Sequence, residues 1–279
     1  MYIQEPPNNV TRIWWCATGP LAFLPIHAAG IYDGSQPGKA SALGNFAISS
    51  YIPTIRSLVD RVKSPRTSND AKAGILMISQ PNTPGQTPIP GTTLEVKAIG
   101  QLFRTRNFRV LCSEGASATI NQTIADMETH SCIHLACHAS QNTREPLKSG
   151  FALHDGRLEL SSIIQKKLVG ADLAFLSACQ TSTGDEKLSE EAVHLAAGML
   201  AAGYRGVVAT MWSINDHYAP GVSEDFYANL INGAEDLNSE NAACALHHAT
   251  LKLRQRLANS KLDLESSLLV WVPYVHFGL

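Results

Sequence analysis

Short apolar runs recur along the chain at intervals that leave room for one helix between each pair. GILMIS (74–79), CIHLAC (132–137), DLAFLSA (172–178) and GVVATMW (206–212) are nearly continuous in apolar residues, the pattern of strands covered on both faces of a parallel sheet. Between and around them the spacing turns helical. Thr54–Val62 places Ile55, Leu58, Val59 and Val62 on one face, and Thr92 or Thr93 caps a helix to about Arg104 with Leu94, Ile99, Leu102 and Phe103 inward. Further helices are predicted over Ser117–Met127, from Ser189 to Ala202, and over about His217–Ile231 and Glu240–Leu257. The helix from Ser189 carries acidic residues in its first turn, ends at Gly203, and has a small face of Ala192, Ala196, Ala197 and Ala201 for close approach to the sheet. Arg12–Cys16, Phe46–Pro53 and Phe108–Leu111 read as additional strands. Asp155-Gly156 between Phe151–Leu153 and Arg157–Leu160 reads as a hairpin turn. Leu268–Phe277 closes the chain as a strand whose Pro273 implies an edge or a bend. Alternation of this kind predicts an α/β fold with a mainly parallel sheet and helices on both faces, one domain over residues 1–279.

Two of these runs end in reactive side chains: His138 follows CIHLAC and Cys179 follows DLAFLSA. In open parallel sheets, chemistry gathers beyond the carboxyl ends of the strands. A thiol and an imidazole side by side there suit covalent acyl transfer, because the thiolate is the nucleophile and the imidazole can take its proton. Cysteine and histidine are equally at home as packing residues at strand ends, so the spacing alone leaves both readings open. A zinc site built from Cys132, His134, Cys137 and His138 is disfavoured, since all four fall in one strand and no CxxC pair supplies the rest of a tetrahedral shell. No metal or cofactor is expected. His27 is expected to be a core or loop histidine. The loop QPNTPGQTPIPG (80–91), too rich in proline and glycine for regular structure, is placed to flank a cleft.

Composition narrows the classes. Hydrophobic residues at 44% and charged residues at 16% describe a chain with a sizeable core, and a formal charge of −2 provides no basic field for nucleic acid or an anionic membrane. No apolar run reaches the ~18–20 residues needed to cross a bilayer, and MYIQEPPNNV lacks the pattern of a secretory signal. The cysteines sit mostly inside apolar patterns, which fits a reducing, cytoplasmic setting. Asp185 and Glu186, in the loop after Cys179, read as solvated charges.

The runs IHLACHAS (133–140) and FLSACQT (175–181), followed by EAVHLAAGMLAAGYRGVVATMWSINDHYAP (191–220), resemble the CHAT domains of the caspase-like clan CD cysteine peptidases. The opening TRIWWCATGPLAFLPIHAAG and the closing WVPYVHFG look most like fungal members. The resemblance implies a caspase–haemoglobinase-like three-layer sandwich and a dyad of His138 and Cys179. It also implies an oxyanion hole from the backbone N–H groups of Ala139 and Cys179. Ala139 departs from the usual glycine, and at positive φ an alanine would cost about 1 kcal/mol or more. Ser177, Trp212 and Asp216 are implied to line the substrate pocket. Asp216 would there favour a basic residue, its alternative role being a cap for the helix that follows. The implied function is a cysteine endopeptidase acting on a protein substrate, in regulated cell death or immunity with a gasdermin-like target. A repeat or NLR-type regulatory region is expected upstream, the chain being the C-terminal part of a longer protein. The competing reading is a catalytically weak or inactive caspase-like scaffold.

Overall fold

The computed structural model describes residues 10–32, 42–63, 74–142, 144–180, 190–234 and 237–279. In chain order the elements are β1 (Thr11–Trp15), β2 (Ala47–Tyr51), α1 (Ile55–Lys63), β3 (Ile75–Ser79), α2 (Gly91–Thr105), β4 (Val110–Glu114), α3 (Ile120–Met127), β5 (Cys132–Ser140) and β6 (Gly150–Leu153). They continue with β7 (Gly156–Glu159), α4 (Leu160–Gln165), β8 (Leu173–Gln180), α5 (Glu190–Ala202), β9 (Gly206–Thr210), α6 (Ala219–Leu230), α7 (Ala242–Ala258), α8 (Leu264–Trp271) and β10 (Tyr274–Gly278).

Among the described residues the strands form one sheet in the order β1-β2-β10-β9-β8-β5-β3-β4, with the β6–β7 hairpin attached to the end of β5. Every pairing along the main order is parallel except that of β10 with β9. The strands are buried on both faces, as the continuous apolar runs require. Ile133, Leu135 and Cys137 of β5 face one core with α3, α4 and α5, while Cys132 and Ala136 face the other with α2, α6, α7 and α8. The result is a three-layer sandwich around a mostly parallel sheet, as the alternation of elements predicts.

Three local expectations are corrected. The Leu268–Phe277 run is not one strand. Its first half is helical in α8, whose N-terminus is capped by Asp263 accepting the Ser266 N–H at 2.8 Å. The second half is β10, which lies inside the sheet between β2 and β9 rather than at its edge. An apolar run as uniform as LLVW carries no period to separate the two states, and the cap two turns earlier decides it. In α1 the apolar side points outward, with Ile55 and Val62 both 66% exposed. The helix is instead held by the Arg61 guanidinium, which donates to the carbonyls of Leu200 and Tyr204 at the end of α5. In α5, Ala196 is buried against β9 as expected, but Ala201 is exposed, and a further close approach is made to Leu160 of α4, 2.6 Å from where a Cβ on Gly198 would lie.

The interface of β2 and β10 with α7 contains three histidines held neutral by burial. His27 has its pKa lowered to about 4, with Nε2 donating to the Val272 carbonyl at 2.8 Å. His247 is lowered to about 4 by burial, reinforced by His248 and Arg254, and His276 to about 3 by burial and the nearby Arg12. Each binds a proton in the unfolded chain near pH 6.5 but resists it when folded, so stability is greatest above pH 6.5 and falls as pH drops toward 4. His276 alone should account for about 3 kcal/mol across that window. Urea midpoints recorded between pH 7.5 and 4 should decline, and His276→Asn should flatten the slope. An unchanged slope in the variant would remove His276 from the account.

Candidate active site

The reactive rim is set by register. β5 and β8 pair in parallel from Cys132 opposite Leu173 through Ala139 opposite Gln180, which puts His138 directly opposite Cys179. β5 continues three residues past the predicted end at Cys137, so His138 and Ala139 lie within the strand. The alternation that sends Cys132 and Ala136 toward α2 and α6 assigns position 138 to that same face. The Cys179 side chain lies outside the described residues, as do Asp185 and Glu186.

His138 is 3% exposed, and its Nε2 lies 2.7 Å from the carbonyl oxygen of Thr87. A carbonyl only accepts, so in the neutral ring the proton is on Nε2 and the lone pair on Nδ1. Nδ1 is buried and makes no hydrogen bond among the described residues. The proline-rich loop expected to flank a cleft is therefore the element that orients the imidazole. Its shape is fixed by Gln80 N–H to the Ala136 carbonyl (2.9 Å) and Ile89 N–H to the Pro81 carbonyl (2.9 Å).

Ala139 is buried in β5, paired with Phe151 of β6 on one side and Gln180 on the other. It is not among the residues with positive φ. The strain expected of an alanine at this position does not arise.

Of the remaining site residues, Asp216 and Ser177 bond to the first turns of α2 and Trp212 to α8. Asp216 is half-buried and does not cap α6; its Oδ2 accepts the Gly91 N–H at 2.9 Å, which caps α2 from the β9–α6 loop. Thr92, offered above as the cap, instead donates to the Ile89 carbonyl and accepts from Ser79. Trp212 is half-buried, its indole donating to the Leu269 carbonyl of α8 at 3.1 Å. Ser177 is 4% exposed and gives its hydroxyl proton to Oε2 of Glu95 at 3.0 Å. The other oxygen of Glu95 accepts from Ser223 of α6 and lies 3.2 Å from Nε2 of His134, within ion-pairing distance but outside hydrogen-bond alignment. His134 Nδ1 meets the Tyr227 hydroxyl at 3.2 Å, and its ring stacks on Phe175. One buried carboxylate thus joins α2, α6, β5 and β8 directly beneath the His138–Cys179 pair.

Glu95 and Thr87 were missed by the sequence reading, which turned Leu94 inward; Leu94 is 64% exposed and Glu95 is 1% exposed. The signal was present: Glu95, Ile99 and Phe103 follow one another at steps of four, a charge at the head of an inward stripe. Thr87 contributes only a carbonyl, which no side-chain pattern reveals.

The family model of the CHAT domain matches residues 2–279. The chain belongs to the CHAT domain family. No curated protein matches this CHAT domain. Among solved structures, the Arg-specific cysteine proteinase gingipain R superposes with a TM-score of 0.57 at 14% identity, covering 84% of the CHAT chain and 54% of the gingipain chain. The complex of the pro- and mature domains of Porphyromonas gingivalis RgpB gives 0.54 at 13% identity, covering 83% and 55%. The Saccharomyces cerevisiae separase–securin complex gives 0.54 at 12% identity, covering 85% and 14%. The CHAT chain spans about half the length of the gingipain chain and a small part of the separase complex's matched chain. The likeness is one of fold: the caspase-like arrangement of these clan CD cysteine proteases.

Two substitutions test the construction. Glu95→Ala leaves the buried hydroxyls of Ser177 and Ser223 without their acceptor and removes the carboxylate beside the His134 ring, and should cost about 3 kcal/mol or more in urea unfolding. A Cβ on Gly91 would sit 2.4–2.6 Å from Asp216 atoms, so Gly91→Ala should cost about 1–3 kcal/mol. Either variant unfolding at the parent midpoint would show that the α2 terminus is not bound as described.

Proposed function

We propose that this CHAT domain is a cysteine endopeptidase with Cys179 as nucleophile and His138 as general base and then general acid. The reading is carried by the register that sets His138 against Cys179, and it gains support from the Thr87 carbonyl that leaves Nδ1 free to accept a proton. In the acylation step the thiol proton moves to His138 and the thiolate attacks the peptide carbonyl carbon. Collapse of the tetrahedral intermediate breaks the C–N bond as the imidazolium gives its proton to the leaving amine. Water, deprotonated by His138, then hydrolyses the thioester, releasing the acid and restoring the thiol. The N–H groups of Ala139 and Cys179 are the oxyanion donors in this scheme, each worth ~2.7–4 kcal/mol if aimed at the developing charge.

The substrate is a protein, and Asp216 favours a basic residue before the scissile bond. Support comes from its carboxylate being held in place by the Gly91 N–H while the side chain is only half-buried. An upstream regulatory region controls access in the full-length protein.

Mapping new protein N-termini in lysate treated with the active chain or with Cys179→Ala tests the proposal. Cleavages should vanish in the cysteine variant and slow by about 10²–10⁴-fold in His138→Ala. Asp216→Asn should weaken the preference for lysine and arginine. Equal cleavage by the parent and Cys179→Ala would sink the enzyme and leave the scaffold reading standing.

A further inference from the structure

Arg254, on α7 and remote from the reactive rim, is 7% exposed. Arginine is rarely buried so deeply without a counter-charge. Among the described residues no carboxylate lies within ion-pairing distance of its guanidinium, which instead lies over the Trp271 ring at 4.6 Å from the centroid. Two cavities meet at this Arg254–Trp271 pair. One, about 210 Å³, runs between α7 and α8 along Leu257, Leu264 and Leu268. The other, about 40 Å³, is lined by His27, His247 and Thr250. The buried Nε2 of His247 makes no hydrogen bond among the described residues. An apolar slot thus leads to a buried, unneutralised cation with polar space beside it, enough for a few waters.

We propose that the cleft between α7 and α8 binds a medium-chain apolar monocarboxylate, its alkyl chain against Leu257, Leu264 and Leu268 and its carboxylate paired with Arg254. The site is independent of the peptidase reading. The slot's volume of about 210 Å³ and its leucine lining suit an alkyl chain, and a planar carboxylate matches the guanidinium fork. One carboxylate of the protein, Asp263, also lines the apolar cavity. Its oxygens are committed to the start of α8, accepting Ser266 N–H at 2.8 Å and Ser266 Oγ–H at 2.9 Å. Burial also lowers the pKa of Arg254, as expected of a cation without a partner. A bound carboxylate would reverse that.

The test uses the whole chain, titrated with decanoate and followed by calorimetry and by thermal unfolding. Decanol supplies the chain without the charge, and butyrate the charge without the chain. Decanoate should bind saturably and raise the melting temperature, with both controls at least tenfold weaker. Arg254→Met should remain folded with no lower melting temperature, since it removes an unpaired buried charge, and should bind decanoate at least tenfold more weakly. Leu264, 50% exposed, offers a variant that spares the core: Leu264→Asp should weaken decanoate by repulsion while the fold persists. No decanoate binding by the parent, or equal binding by both variants, overturns the proposal. Asp33, next to Tyr32 in sequence, lies outside the described residues. An Asp33→Asn chain that loses stability and gains decanoate affinity would identify the protein's own carboxylate as the partner, and would overturn the proposal as well.

Discussion

A carboxylate that cannot reach water must be surrounded by donors, and the way Glu95 meets that demand fixes most of what lies beneath the reactive rim. Its donors come from β8 through Ser177 and from α6 through Ser223, with His134 of β5 at ion-pairing distance. Neither hydroxyl can move far without leaving a buried carboxyl oxygen unsatisfied, at a cost above that of a hydrogen bond exchanged for water. The helices on this face are therefore seated by a directional contact as well as by packing. The same turn of α2 receives Asp216 at Gly91 and leads back through the proline-rich loop to Thr87 and the His138 ring. Orientation of the imidazole and seating of the β9–α6 loop converge on one helix terminus.

This arrangement gives the departures from the family pattern a physical reading. Alanine after the histidine is harmless here because β5 carries its extended conformation through Ala139 and Ser140, where β6 adds a partner. Ser177, two residues before the cysteine, is buried, and its hydroxyl is taken up by Glu95. Asp216 caps α2 and, in the proposed function, also selects the residue before the scissile bond. A residue with both duties tolerates little change, since the geometry that suits one constrains the other.

How much of this was legible in the sequence depended on whether period or partner decided each feature. The core strands were readable because GILMIS, CIHLAC, DLAFLSA and GVVATMW are covered on both faces, and the hairpin at Asp155-Gly156 because Gly156 adopts φ 147, open to glycine. The facing of positions 138 and 179 followed from the ends of neighbouring parallel runs. What escaped were contacts between residues far apart in sequence: Asp216 with Gly91, His138 with the Thr87 carbonyl, Glu95 with Ser177. Local reasoning assigned Asp216 to the nearest helix and turned Leu94 inward because leucine is apolar. In α1 the apolar period was real, yet Arg61 turned that face to solvent.

The position of β10 bears on the order in which the chain can fold. Among the described residues β1 pairs only with β2, and β2 meets the rest of the sheet through β10, at Phe277 opposite Tyr51. Residues 11–51 thus join the sheet only through residues 274–278, a strand far along the chain from them, although β2 also packs on α7. Pairing with so distant a strand is a loop closure of the slowest kind. Assembly can begin on β3, β4, β5, β8 and β9, which need no help from either terminus, and finish when the last strand locks the first two in place.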